Sequence, residues 1–165
     1  MDMKNNGVFE QFDYYRDTTI ELLDSITSES KADIIPVGFN NSLRWNLGHI
    51  LAAQEGIMFY FGKNETGFLP TSVLDAFKTG TSPKDWQTTP LTLKEIRELL
   101  IEQKERIRVT FAGEFKQPVA NVFAFQDKKL TTIGDLFVFT LWHEGLHQGV
   151  IQSMQRIIPK RLGQN

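Results

Sequence analysis

Apolar residues recur three or four positions apart along four long stretches of this chain, which is the spacing of amphipathic helices. The first stretch predicts a helix over residues 7–28. The second predicts a helix that starts after Asn41 or Ser42, either of which can cap the free backbone amides, and that ends near Gly62. One face of this second helix consists mostly of small residues, which permits a close neighbour or leaves room for a ligand.

The third and fourth stretches have clearer start and stop signals. Thr92, followed by Glu95 three residues later, is the capping-box pattern at the start of the third helix. The fourth helix is predicted over residues 132–158 and ends before Pro159, because proline cannot continue a helix. Its inward stripe consists of Leu136, Thr140, His143, His147, Val150, Met154 and Ile157.

Four such helices with almost no alternating strand pattern predict an all-α fold, a four-helix bundle in a single domain over residues 1–165. The connection between the second and third helices, residues 63–90, is long, so we expect it to cross the length of the bundle. It contains a predicted short helix over residues 72–78. The pattern of residues 113–129 is compatible with a short strand and with a packed loop.

Composition narrows the class of protein. Hydrophobic residues at 41% and charged residues at 23% are typical of a soluble globular chain, and a formal net charge of -2 gives no reason to expect nucleic acid or an anionic membrane as partner. No membrane-spanning run and no signal-peptide pattern is found, so we expect a cytoplasmic protein. Because the chain has no cysteine, any metal site must use histidine, carboxylate or water.

All three histidines of the chain fall on inward-facing positions of the predicted helices. His143 and His147 are four residues apart, so they leave the same side of the fourth helix, on its buried stripe. His49 lies on the small-residue face of the second helix. We therefore predict that the three imidazoles bind a divalent transition metal, for which zinc, nickel, cobalt and iron are suitable. The alternative is a set of hydrogen-bonded core histidines without a metal.

Residues 143–147 also match H-E-x-x-H, the zinc signature of metalloproteases. Those enzymes take a third ligand from further along the chain. After Glu144, the chain has no aspartate, glutamate or histidine except His147. A protease is therefore disfavoured, and a third ligand has to come from before the motif.

The segments around the histidines resemble the DinB-like superfamily of metalloenzymes. The resemblance rests on the sequence WNLGHI at residues 45–50 and on the pair His143 and His147 in a long fourth helix, and it covers essentially the whole chain. It implies an up-down-down-up bundle, a metal held by His49, His143 and His147, and a homodimer. Members with assigned chemistry are similar to S-transferases and isomerases that use low-molecular-weight thiols such as bacillithiol.

Four residues next to the histidines are further candidates for the site. Glu144 is a candidate general base for catalysis, and the alternative is that it points to solvent or to a neighbouring helix. Asn46 and Gln148 are candidates to orient a metal-binding histidine, which usually donates its second ring N–H to an oxygen. Trp45 is a candidate wall of a substrate pocket, or a core residue.

Three functions are compatible with the sequence. The first is a metal-dependent enzyme that transfers a thiol cosubstrate to a small electrophilic molecule, with zinc or nickel as the expected metal. The second is a metal-dependent hydrolase. The third is a non-catalytic, stress-associated module that binds metal as a dimer. In either enzyme the connection containing Phe77 and Trp86 is a candidate lid over the site.

Overall fold

Six α-helices and one β-hairpin are the main elements of the computed structural model, which describes residues 6–159 and also contains a short 3-10 helix at Pro83–Asp85. The helices are α1 (Asn6–Asp24), α2 (Glu29–Ala32), α3 (Leu43–Glu55), α4 (Thr71–Phe77), α5 (Leu93–Phe111) and α6 (Ile133–Ile157). The strands are β1 (Pro118–Phe125) and β2 (Lys128–Thr132), and a π-helical turn (Gly56–Phe61) continues α3. The predicted domain boundaries, residues 1–165, include two short ends outside the described residues.

The four long helices pack around a common interior. Both α1 and α3 contact both α5 and α6. The short α4, predicted over residues 72–78 and found at Thr71–Phe77, packs on α3. None of the described helices combines the length and the apolar character needed to cross a membrane.

Hydroxyl side chains define the starts of the long helices. Ser42, rather than Asn41, caps α3, because its Oγ accepts the backbone N–H of Trp45 at 3.2 Å. The predicted capping box at Thr92 is confirmed at the start of α5. Thr132 forms a second capping box at the start of α6. Since Thr132 is also the last residue of the second strand of the hairpin, that strand leads into α6 without a loop.

The first helix is shorter than predicted. It ends at Asp24, and the chain turns before the separate helix α2. Ser25 Oγ donates to the carbonyl oxygen of Leu22, while Ser28 caps α2 by accepting the N–H of Lys31. These hydroxyls compete with the helical backbone for hydrogen bonds, so the prediction that one helix extends to residue 28 was wrong.

The hairpin corrects the all-α prediction to a mostly helical fold with a small antiparallel sheet. Phe123 in β1 is paired with Leu130 in β2, and the tight connection places Gln126 at a φ of 55°. Alternate residues of β1 are half-buried, since the hairpin covers the helices with one face only. Two short strands with so little buried surface produce a weak alternating pattern, which explains why residues 113–129 could not be assigned from the sequence.

A buried polar layer lies between two apolar clusters. In each long helix, with the π-helical turn counted as part of α3, the buried residues of one cluster precede the polar positions and those of the other cluster follow them. The layer consists of Arg16, Thr19, Gln54, Glu55, Gln103, Glu144 and Gln148, all buried. Every one of the four long helices contributes to this layer, so its hydrogen bonds set their relative positions.

Arg16 is the centre of this polar layer and has no exposed surface. Its Nε donates to Glu144 Oε1 at 3.0 Å, and its Nη1 donates to the carbonyl oxygen of Leu100 at 2.7 Å. Its Nη2 donates to Gln54 Oε1 and, at 3.2 Å, to Gln103 Oε1. One guanidinium on α1 thus binds α3, α5 and α6 together.

Replacement of Arg16 tests the importance of this layer. Arg16→Met leaves the Glu144 carboxylate buried without its counter-charge, so we expect the free energy of unfolding to fall by about 3–5 kcal/mol. Urea unfolding followed by circular dichroism measures it. The control is Arg97→Met, which breaks the exposed ion pair with Asp24 and should change stability little. A similarly small effect in both variants would contradict a structural role for Arg16.

Candidate metal centre

Three imidazoles from two helices meet beside the polar layer. His49 comes from α3, and His143 and His147 come from adjacent turns of α6. Each ring offers a nitrogen that lies within 4.8 Å of the other two. The structure therefore brings together the three histidines that the sequence singled out, on helices that pack directly on each other.

Hydrogen bonds set the orientation of two of these rings. His49 Nδ1 lies 2.6 Å from the carbonyl oxygen of Phe77, which can only accept, so Nδ1 carries the proton and Nε2 the lone pair. His147 Nδ1 lies 2.9 Å from Asn46 Oδ1. The Asn46 amide is held in turn, because its Nδ2 donates to the carbonyl oxygen of Ser42 at 2.8 Å. Asn46 thus occupies the place predicted for an orienting partner.

The nitrogen spacing fits one metal ion. His49 Nε2 and His143 Nε2 are 3.2 Å apart. Two nitrogens bound to one zinc at about 2.0–2.1 Å with a near-tetrahedral angle are about 3.3 Å apart. Without a metal, His143 has to donate an Nε2–H to the lone pair of His49. With a metal, both lone pairs would be available to bind it.

An indole ring supports His49 from the side. Trp45 stacks on His49 with ring centroids 4.6 Å apart and planes 11° apart. Its Nε1 donates to Thr81 Oγ1 at 3.0 Å, which holds the indole in place. Trp45 is itself buried, so it forms part of the packing behind the histidine as well as part of a cleft wall.

Burial keeps the three imidazoles neutral. Burial first, and then the charges that neighbouring histidines would bear, lower the pKa of His143 to about 4 and the pKa of His147 to about 3. Burial also lowers the pKa of His49, against an opposing effect of its hydrogen bond to Phe77. Neutral imidazole is the form that binds a metal, so the site is ready for one at pH 7 without losing protons.

Glu144 and Gln148 are directed toward α1 instead. The Glu144 carboxylate is 1% exposed and accepts hydrogen bonds from Arg16 and, at 2.7 Å, from Thr19 Oγ1. Gln148 Nε2 donates to the carbonyl oxygen of Tyr15 at 2.6 Å and to Thr19 Oγ1 at 2.9 Å. This placement matches the alternative in which Glu144 contacts a neighbouring helix, and it gives Gln148 a partner other than a histidine.

The sequence did not reveal that the Phe77 backbone is the partner of His49. Phe77 packs its ring directly on Gly48, where a Cβ atom would overlap with the ring. This close contact brings α4 down onto α3, so the carbonyl at the end of α4 reaches His49. Every residue has a backbone carbonyl, so the sequence could not identify Phe77 as this partner. The signal in the sequence is Gly48, a glycine in the middle of a helix, which permits the close packing of α4 on α3.

Two clefts open onto the histidines. A cleft of about 770 Å³, here called the polar cleft, is lined by His49 and His147 and by Asn40, Asn41, Ser82 and Lys84. A second of about 500 Å³, the apolar cleft, is lined by His49 and His143 and mostly by aliphatic and aromatic side chains. Since His49 and Thr79 line both, molecules in the two clefts would meet at the histidines.

The low histidine pKa values predict that the metal-free protein loses stability in mild acid. A histidine in the unfolded chain titrates near 6.5, whereas folded His143 titrates near 4 and His147 near 3. Between those values the unfolded chain binds more protons, so stability is complete above about pH 6.5 and falls as the pH drops. Urea unfolding of chelator-treated protein from neutral pH to about pH 5 measures the decline. His147→Gln should make it shallower, and an unchanged decline would contradict this assignment.

Comparison with known families agrees with this geometry. A family model described as the DinB superfamily matches residues 11–151, which include all three histidines, both clefts' helical walls and the hairpin. No curated protein matches the chain. On the strength of a family match over most of its length, the chain belongs to the DinB superfamily.

Proposed function

We propose that this protein is a metal-dependent enzyme that transfers a low-molecular-weight thiol to a small electrophilic substrate. The observation that supports it is the convergence of three neutral imidazole nitrogens at a point reached by two separate clefts. Such an arrangement suits a two-substrate reaction, because it would hold both substrates close together at one centre.

His49, His143 and His147 would hold the metal, with zinc or nickel as the expected ion. A divalent metal with an open ligand position lowers the pKa of a thiol, so that thiolate is available at neutral pH. The Phe77 carbonyl and the Asn46 side chain would keep the Nε2 atoms of His49 and His147 turned to the metal. In the transfer, the thiol sulfur forms a bond to the electrophilic carbon, the leaving group departs with its bonding electron pair, and the thiol proton passes to water.

The polar cleft suits the thiol cosubstrate. Low-molecular-weight thiols are polar molecules that carry several hydroxyl, amide, amine or carboxylate groups. Lys84 provides a positive charge at this cleft, and Asn40, Asn41 and Ser82 provide hydrogen-bonding groups.

The two other functions have less support. A hydrolase that follows the H-E-x-x-H pattern needs Glu144 beside the metal, and its carboxylate is bound to Arg16. A non-catalytic site is favoured when a further side chain closes the metal's remaining position. Among the described residues, the cluster that could hold the metal consists of the three histidines alone, with clefts beside them.

We further propose the up-down-down-up bundle and the homodimer of the wider superfamily for this chain. The packing of α1 and α3 on both α5 and α6 supports the bundle. Val138, Trp142 and Leu146 lie four residues apart on α6 and are each about half exposed, which suits the face of α6 for contact with a second copy. Analytical ultracentrifugation gives the mass in solution.

Metal content tests the centre itself. Untagged protein that is offered zinc or nickel and then dialysed should retain about one equivalent per chain by elemental analysis. His147→Ala should retain little metal, with unchanged helical content by circular dichroism because alanine favours helix. Gln152→Ala, an exposed change on the same helix, is the control and should retain metal fully. Full metal content in His147→Ala would exclude the three-histidine site.

Activity tests the reaction class. The metal-loaded protein should speed formation of the thioether from bacillithiol and 1-chloro-2,4-dinitrobenzene, with release of chloride, and His147→Ala should abolish the acceleration. Absorbance of the aryl thioether measures the rate. Hydrolysis of 4-nitrophenyl acetate without a thiol would instead favour the hydrolase. Metal binding with neither activity would favour the non-catalytic module.

A further inference from the structure

The apolar cleft differs sharply from the polar cleft in chemistry. Its walls include Ala52, Ala53, Ile57, Phe61, Phe123 and Phe139. The charged groups in its lining, Asp75 and Lys78, are both exposed and form an ion pair with each other at 2.9 Å. The inner surface of the cleft therefore favours uncharged ligands. Its two charged side chains are exposed and neutralise each other in the ion pair.

The hairpin supplies one aromatic wall of this cleft. Phe123 in β1 packs edge-on against Phe61, with centroids 4.9 Å apart, and lies 5.1 Å from Phe139 of α6. The Phe139 ring is tilted by 24° from the plane of His143, at 6.4 Å. A continuous series of rings thus leads from the hairpin to the candidate metal centre, and a bound aromatic ring could stack along it.

A glycine leaves space in the lining of the apolar cleft. The π-helical turn begins at Gly56, and a Cβ atom built there would meet nothing within 4 Å. The φ of -62° and ψ of -44° at Gly56 are ordinary helical values, so the backbone does not require glycine. Glycine at position 56 therefore adds space to the cleft and is not required by the backbone conformation. Irregular π turns of this kind are frequent at functional sites.

We propose that the apolar cleft binds the uncharged aromatic or aliphatic part of the electrophilic substrate and directs its reactive carbon toward His49 and His143. The direction toward the metal rests on the proposed function, whereas binding of the apolar part does not need a metal. A volume of about 500 Å³ is sufficient for a molecule with one or two aromatic rings. The substrate class is therefore small, uncharged and predominantly apolar.

The test uses N-phenyl-1-naphthylamine, an uncharged two-ring probe that fluoresces strongly in apolar sites. It is titrated into the full-length protein, both metal-free and zinc-loaded. We expect saturable binding to the wild type. Gly56→Leu fills the cleft and should weaken binding about tenfold or more, because the probe and the new side chain compete for the same space.

The matched control is Gly149→Leu, the same change at an exposed helical glycine of α6 that also has open space around it. It lies in neither cleft and should bind the probe like the wild type. Circular dichroism of both variants tests whether the fold is retained, and their zinc content tests whether the candidate metal centre is retained. Ala53→Leu, in the same cleft wall, is the second blocking variant should Gly56→Leu fold poorly.

The outcomes separate this inference from the proposed function. No probe binding to the wild type, or equal binding to the wild type and to folded cleft variants, overturns the apolar site. Probe binding that both cleft variants block, in a protein that takes up no metal, supports the apolar site and refutes the metal-dependent reaction. Zinc uptake without probe binding leaves the metal centre in place and refutes the substrate class.

Discussion

The ion pair between Arg16 and Glu144 is the constraint on which the candidate site depends. A guanidinium with no exposed surface requires a counter-charge and several acceptors, and Arg16 finds them on three other helices. Glu144 is the residue after His143, about 100° around α6 from it. Its bond to α1 therefore fixes the rotation of α6 about its axis, which turns His143 and His147 toward α3.

Helix α6 thus has two polar faces, each formed by residues four apart. Glu144 and Gln148 face α1 and stabilise the packing, while His143 and His147 face α3 and His49. In a zinc protease the glutamate of the same five-residue pattern acts on water. In this chain the pattern is the same, but the Glu144 carboxylate is buried beside Arg16 and stabilises helix packing. The environment of a carboxylate decides its chemistry.

The two clefts that reach the candidate centre differ in chemistry. One cleft brings polar groups to His49 and His147, and the other brings aromatic rings to His49 and His143. Under the proposed function, unequal walls of this kind would distinguish the two substrates before either reached the metal. The hairpin, which adds little to the helical core, has a clear place in this arrangement, since Phe123 forms part of the apolar wall.

The sequence by itself determined where the four long helices begin, the capping box at Thr92 and the inward position of the histidines, because periodicity and caps are local properties. Only the tertiary structure decided which side chains meet. Glu144 and Asn46 both stand next to a histidine-bearing turn, yet one binds Arg16 and the other orients His147. These contacts depend on the packing of helices that are distant in the sequence. The orientation of His49 likewise depends on a backbone carbonyl of α4. Neither can be read from the local sequence pattern.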